Sequence, residues 1–317
     1  MNHKPHFYLI LSFLLSTACS GIALESIPFR FEGNLLIVKA TLNGMTGDFI
    51  IDSGAPELII NQAYFEGMRI SWDQLQVVDF NGHASEARHF AIKSFSIGTL
   101  DIKKQYALTV DLSSLEKVKG IHLIGIIGYS VLKDLELLFD FDRQELTVSH
   151  SQKKGSFFDI NDSPIVAFDL KFSGHIPFII AKIGKKKLRL GLDTGAEVNL
   201  LDDRSFKGAS GHFEEMKKMR VKGITRHQKA ALSGVLKHIS IDGRPIGPIN
   251  VTVISLQPLN ESLTIGLDGI LGMPFLKRGR VGLDYGARTL VVWPSDGRLV
   301  GEEIEPKLEV SLLDGNK

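Results

Sequence analysis

The sequence predicts an all-β protein with a few short helices, folded as two related lobes. Three observations carry that prediction. Gly accounts for 31 of the 317 residues, above the usual ~7%, which favours many tight turns. The apolar segments are short and rich in β-branched residues, and helical spacing is weak throughout. The chain also contains the same unit twice.

The first element is a hairpin. Residues 35–42 and 48–52 are β-type runs separated by Asn43-Gly44, a pair suited to a tight two-residue turn. The same hairpin recurs at 178–183 and 188–193, with Gly184 and three lysines at its tip. Each second strand runs into the repeat's best-matched block: residues 50–61 (Ile-Ile-Asp-Ser-Gly-Ala-Pro-Glu-Leu-Ile-Ile-Asn) align with 191–202 (Gly-Leu-Asp-Thr-Gly-Ala-Glu-Val-Asn-Leu-Leu-Asp), an offset of 141. Further on, Gly82 pairs with Gly223, and Ser96-Ile-Gly98 with Ile241-Asp-Gly243. Residues 125–133 then align with 269–277 at an offset of 144, followed by strand-like segments at 137–140 and 281–284 and at 146–148 and 290–292. Short helices are expected only near 61–67, 131–135 and 274–278. The organisation predicted is a first lobe at 26–150, a polar linker at 151–159, a second lobe at 160–298 and a charged tail at 299–317.

Composition narrows the function. Lys and Arg number 37 against 36 Asp and Glu, so no basic excess argues for nucleic acid. A single cysteine excludes a disulfide framework or a cysteine-based zinc site. The ten histidines show no HExxH pair or other ligand spacing, and no phosphate loop or GxSxG elbow is present. No metal and no cofactor is therefore expected. Residues 1–23 read as a signal peptide: Lys4 and His6, an apolar run at 7–15, then Ser16, Thr17 and Ala18. The sole cysteine, Cys19, follows Ala18, which resembles a bacterial lipoprotein cleavage site, although Ser16 stands where such sites usually carry Leu. Ordinary cleavage after Ala18 or Ala23 is the other reading. Either way the expectation is export, to the periplasm or as an outer-membrane lipoprotein, with membrane contact only through a lipid on Cys19.

The chemistry sits in Asp52 and Asp193. One Asp-Ser/Thr-Gly alone is a common turn, but two copies at equivalent places of a duplicated unit are brought together across a pseudo-twofold axis. Two carboxylates that close share one proton over a wide pH range. The ionised member can take a proton from water while the protonated one donates to a carbonyl oxygen, which hydrolyses a peptide bond without a covalent intermediate.

At these residues the chain resembles the retropepsin-like aspartyl proteases of the pepsin/retropepsin superfamily, in a bacterial two-lobed form. The motifs that carry the resemblance are Asp52-Ser-Gly-Ala55 and Asp193-Thr-Gly-Ala196, with Ile126-Ile-Gly128 and Ile270-Leu-Gly272. It implies two pseudo-twofold-related β-barrel lobes, a catalytic pair Asp52 and Asp193, and an aspartic endopeptidase acting on a peptide or protein substrate as a monomer with an internal pseudo-dimer. It also implies that the Ser53 and Thr194 hydroxyls brace the two loops and that Gly54 and Gly195 leave room for coplanar carboxylates. The Ile-Ile-Gly and Ile-Leu-Gly elements would cross beneath the catalytic loops. Ala55 and Ala196 depart from pepsins, which place a hydroxyl there. Losing donors to the charged form raises the pair's pKa values, so an optimum nearer weakly acidic or neutral pH is expected.

A flap hairpin is implied at Asp79-Phe-Asn-Gly-His83, with Val221-Lys-Gly-Ile224 as its counterpart. A catalytically inactive peptide-binding protein on the same fold is the alternative function, favoured by Ser53 in place of Thr and by Pro56. In a third reading each lobe pairs with a lobe of another chain. Asp140 and Asp284, also repeat-related, read as structural turns with Arg143 or Arg288 nearby, and the three lysines at 185–187 as a solvated tip.

Overall fold

In the computed structural model, residues 24–65, 70–78, 84–103, 106–151, 166–222 and 228–294 are described. The signal peptide expected at 1–23 with Cys19, most of the expected linker, the flap residues expected at 79–83 and 223–224 and the tail lie outside these residues. The all-β expectation holds: short strands fill two sheets, and the few helices are seven residues or fewer.

Each lobe is built by the same path. Leu35–Leu42 turns back into Met45–Ile51 through Asn43 and Gly44, whose φ values of 49° and 84° are those of the tight turn that this dipeptide favours. In the second lobe Ile176–Ile183 pairs with Lys186–Leu192. The last three residues of each strand leading to an aspartate are buried without alternation, because both faces are covered there. Gly125–Ile127 lies parallel to the end of Met45–Ile51, and Gly269–Leu271 lies parallel to the end of Lys186–Leu192. A long hairpin follows in each half. Ile70–Val78 pairs with Ala84–Ala91, and Phe213–Lys222 with Gln228–Leu236. The first-lobe flap segment therefore joins two paired strands.

A six-stranded sheet joins the halves: Glu25–Glu32, Glu145–His150 and Leu135–Asp140 from the first, then Gly279–Asp284, Thr289–Pro294 and Val166–Asp169 from the second. Across the junction Leu138 stands opposite Gly282, its own repeat counterpart. An antiparallel pair with that register is self-complementary about a twofold, so the doubled sequence makes a single continuous sheet instead of two separate ones.

The helices correct the sequence reading. Of the three expected, 61–67 shrinks to one 3₁₀ turn at Gln62–Tyr64, while Tyr129–Leu132 and Met273–Leu276 form near the other two. Ser113–Lys119, Asp203–Lys207 and Gln257–Glu261 were not expected. Periodicity fails for helices this short, but end signals were present. Asp111 accepts the Ser113 N–H (2.9 Å), and Gly120 closes the helix at φ 67°.

Asp140 and Asp284 sit at turns, as read. Asp140 pairs with Arg143 and with Arg280 of the other lobe, both at 3.3 Å. Asp284 takes the Ser151 hydroxyl and the Ala287 N–H, whereas Arg288 lies over the Phe172 ring instead.

Candidate active site

Each aspartate sits one residue beyond a buried strand, held by the strand beside it: the Asp52 N–H donates to Ile127 O and the Asp193 N–H to Leu271 O, both at 3.0 Å. The glycines that follow those elements, Gly128 and Gly272, lie against the backbone of the aspartate loops. A Cβ on Gly128 would come within 2.6 Å of Ala55 O, and one on Gly272 within 2.7 Å of Val198 O. These elements thus support the loops from beneath, and no larger residue fits there.

Ser53 and Thr194, each about 1% exposed, interlock the loops. The Ser53 N–H donates to Thr194 Oγ1 and the Thr194 N–H to Ser53 Oγ, both at 3.0 Å. The hydroxyls then donate onward, Ser53 to Leu192 O (2.9 Å) and Thr194 to Ile51 O (2.7 Å). Both hydroxyls and both N–H groups of the knot are paired, as burial requires. The shorter Ser thus does in the first lobe what Thr does in the second.

The knot sets the two loops face to face, so that each carboxyl group lies against the glycine of the opposite loop. Approach is so close that a Cβ on Gly54 would fall 2.5 Å from Asp193 Oδ2, and one on Gly195 2.6 Å from both Asp52 oxygens. Only glycine is compatible with this geometry. Backbone donors orient the carboxyls: Gly54 and Ala55 N–H to Asp52 Oδ1 (2.9 and 3.0 Å), and Gly195 N–H to Asp193 Oδ1 (2.8 Å).

Asp52 and Asp193 are both partly exposed. Burial, then the charge of Asp193, holds Asp52 well above the usual carboxylate range, and burial also raises Asp193. Such a pair titrates as a unit and keeps one proton across a broad pH interval. Tyr285 is buried, its hydroxyl pKa pushed up mainly by burial and further by the charges of both aspartates. Among the described residues no group of three or more His, Cys, Asp or Glu is placed to hold a metal ion.

Sequence reasoning missed the residues that lean on these loops from the opposite lobe. His175 Nε2 lies 2.8 Å from Gly54 O. At the equivalent place in the first lobe, the Asn34 side-chain amide donates to Glu197 O (2.9 Å), and its N–H to Glu197 Oε2 (3.3 Å). Lys119 pairs with Glu197 at 2.5 Å, and Lys277 donates to Asn34 Oδ1 at 2.9 Å. A signal did exist. Gly33-Asn34 and Gly174-His175 are 141 apart, the motif offset, and both glycines have positive φ (63° and 58°). The dissimilar Asn and His hid the match.

Residues 38–131, which span the first of the two aspartate loops, match a family model described as aspartyl protease. The fold is similar to the crystal structure of aspartic proteinase from Irpex lacteus, with a TM-score of 0.53 and 13% identity over 86% of this chain and 98% of that one. No curated protein matches the chain in sequence. The family match supports an aspartyl-protease relationship for the first lobe, and the structural likeness shows the shared fold.

Proposed function

We propose that the protein is an exported aspartic endopeptidase that works as a monomer, with Asp52 and Asp193 holding one proton between them and activating water against a peptide bond. The observation that carries this reading is the close approach of Asp52 to Gly195 and of Asp193 to Gly54, which brings two carboxyl groups 141 residues apart in sequence together on loops locked by four buried hydrogen bonds.

The ionised member accepts a proton as the water oxygen bonds to the carbonyl carbon. The protonated member gives its proton to the carbonyl oxygen, so the tetrahedral intermediate forms without net charge, as in other aspartic proteases. A proton then passes to the amide nitrogen, the C–N bond breaks, and a carboxyl and an amine leave with the pair again holding one proton. The loop hydrogen bonds fix both carboxyls before substrate arrives, so little reorganisation accompanies the reaction. Both pKa values are raised, and Ala55 and Ala196 bring no hydroxyl to stabilise the charge. The active single-proton form therefore extends toward weakly acidic or neutral pH.

The test is Asp52→Asn and Asp193→Asn, each alone, assayed on a peptide library. Each is expected to lose at least about 10³-fold in kcat/KM with an unchanged circular dichroism spectrum. Near-normal activity in either variant overturns the shared pair. A wild-type protein that binds a statine peptide but cleaves nothing at any pH is instead a peptide-binding protein. Export rests on the signal-like residues 1–23, and mass spectrometry of the mature N-terminus tests both cleavage and lipidation of Cys19. Sedimentation tests the monomer.

A further inference from the structure

The amide joining Gly54 to Ala55 is bonded at both ends. Its N–H donates to Asp52 Oδ1 at 3.0 Å, and its carbonyl oxygen lies 2.8 Å from His175 Nε2. A carbonyl can only accept, so this nitrogen of His175 carries a proton whether the ring is neutral or charged. The series runs from imidazole N–H to carbonyl, through the amide, and from amide N–H to carboxylate. Hydrogen bonds in such a series polarise one another, so a donor on the carbonyl makes the far N–H a better donor.

His175 reaches this loop from the opposite lobe, at the turn between Lys171–Ser173 and Ile176–Ile183. It is partly buried, and desolvation lowers its pKa, opposed by the Gly54 bond and by the charges of Asp193 and Glu57. Asn34, its first-lobe counterpart, bonds Glu197 and leaves the Gly195 carbonyl alone. The hydrogen-bond relay therefore reaches Asp52 alone, while a charged imidazole also favours ionised Asp193 through space.

We propose that His175 is a positioning residue that holds the Gly54–Ala55 amide in line with Asp52 and so sets the pH at which the aspartate pair takes up its second proton. Ionised Asp52 is favoured while the relay is intact, and more strongly when the imidazole is itself charged. The proposal rests on the reading of Asp52 and Asp193 as the working pair.

The experiment compares wild type with His175→Phe, which keeps a ring but has no donor, and with His175→Gln, whose amide N–H can donate but does not titrate. In His175→Phe the acid limb of the kcat/KM profile is expected to move up by about half a pH unit, the scale of one ordinary hydrogen bond acting through an intervening amide. In His175→Gln it should return to within about 0.2 of wild type on the same scale. A structural role alone would lower stability or the height of the profile while leaving the limb in place. That outcome, or a limb equally displaced in His175→Gln, overturns the proposal. Should His175→Phe not fold, His175→Asn, the first lobe's residue and too short to span to Gly54 O, replaces it with the same expected displacement. The dyad is also titrated by ¹³C NMR of the aspartate carboxyls, which needs no turnover. A wild type without peptidase activity defeats the protease reading, while an Asp52 carboxyl titration unmoved by His175→Phe defeats this inference whether or not the protein cleaves anything.

Discussion

The two aspartate loops are alike in their backbones and unlike in what leans on them. Each has the same strand support, the same interlocked hydroxyl and the same glycine facing the opposite carboxyl. At one seam, however, a single imidazole meets the Gly54 carbonyl. At the other, Asn34, Glu197, Lys119 and Lys277 form a polar network around the fifth residue of the motif. That fifth residue is Pro56 in the first lobe, which offers no side-chain acceptor, and Glu197 in the second. The part of the duplication that sets carboxyl geometry has stayed symmetric, whereas its rim has diverged. The divergence makes the surroundings of the two aspartates electrostatically unequal.

The symmetric part is broken most severely by Gly54→Ala and Gly195→Ala. Each added methyl would overlap the opposite carboxyl. A displacement of about 1 Å costs on the order of 10²-fold in rate, and both variants should lose at least that in kcat/KM. A tolerated alanine at one site would show that the approach is close on one side only.

Next come Ser53→Ala and Thr194→Val, each of which removes a hydroxyl that accepts one buried hydrogen bond and donates another. Leaving the partner N–H buried and unpaired costs roughly 1–3 kcal/mol. Urea denaturation should give nearly equal losses for the two, and a large inequality would mean that Ser and Thr are not equivalent in this knot.

The two aspartates are themselves compared by stability against pH. A carboxyl whose folded pKa is raised contributes stability that is present below its unfolded pKa and lost as pH rises through the folded one. Asp52→Asn and Asp193→Asn should therefore melt above wild type at neutral pH, with the gap closing as pH falls below the ordinary carboxylate range. Burial raises both carboxyls, so both variants should gain. A variant without a gain in calorimetry would leave only the other aspartate raised.

The smallest effect belongs to the polar seam. Glu197→Ala removes a partly exposed ion pair with Lys119 and a contact with the Asn34 N–H. Surface pairs of this kind contribute about 0.2–1 kcal/mol. Salt should shrink the loss, and a salt-independent loss would place the stabilisation in the amide contact instead.

Much of the site could be read from the sequence because its parts are local. Asp52-Ser-Gly-Ala55 and Asp193-Thr-Gly-Ala196 are contiguous, and the hairpin that delivers each announces itself through β-branched runs and Asn43-Gly44. The helices at Ser113–Lys119 and Gln257–Glu261 escaped because two turns give no usable periodicity. His175 and Asn34 escaped for another reason: a repeat is found by similar residues, and these two are dissimilar although their backbones correspond.

By itself, the sequence determined the duplication, the β character and the identity of the paired acids, since each is written in short strings whose local chemistry is unambiguous. Only the tertiary structure decided that Leu138 meets Gly282 in one shared sheet, that Ser53 and Thr194 exchange hydrogen bonds, and that an imidazole from one lobe holds an amide of the other. Such contacts join residues more than a hundred positions apart. They exist only once the two halves have packed, because burial is what selects the partner for each polar group and no local pattern encodes that choice.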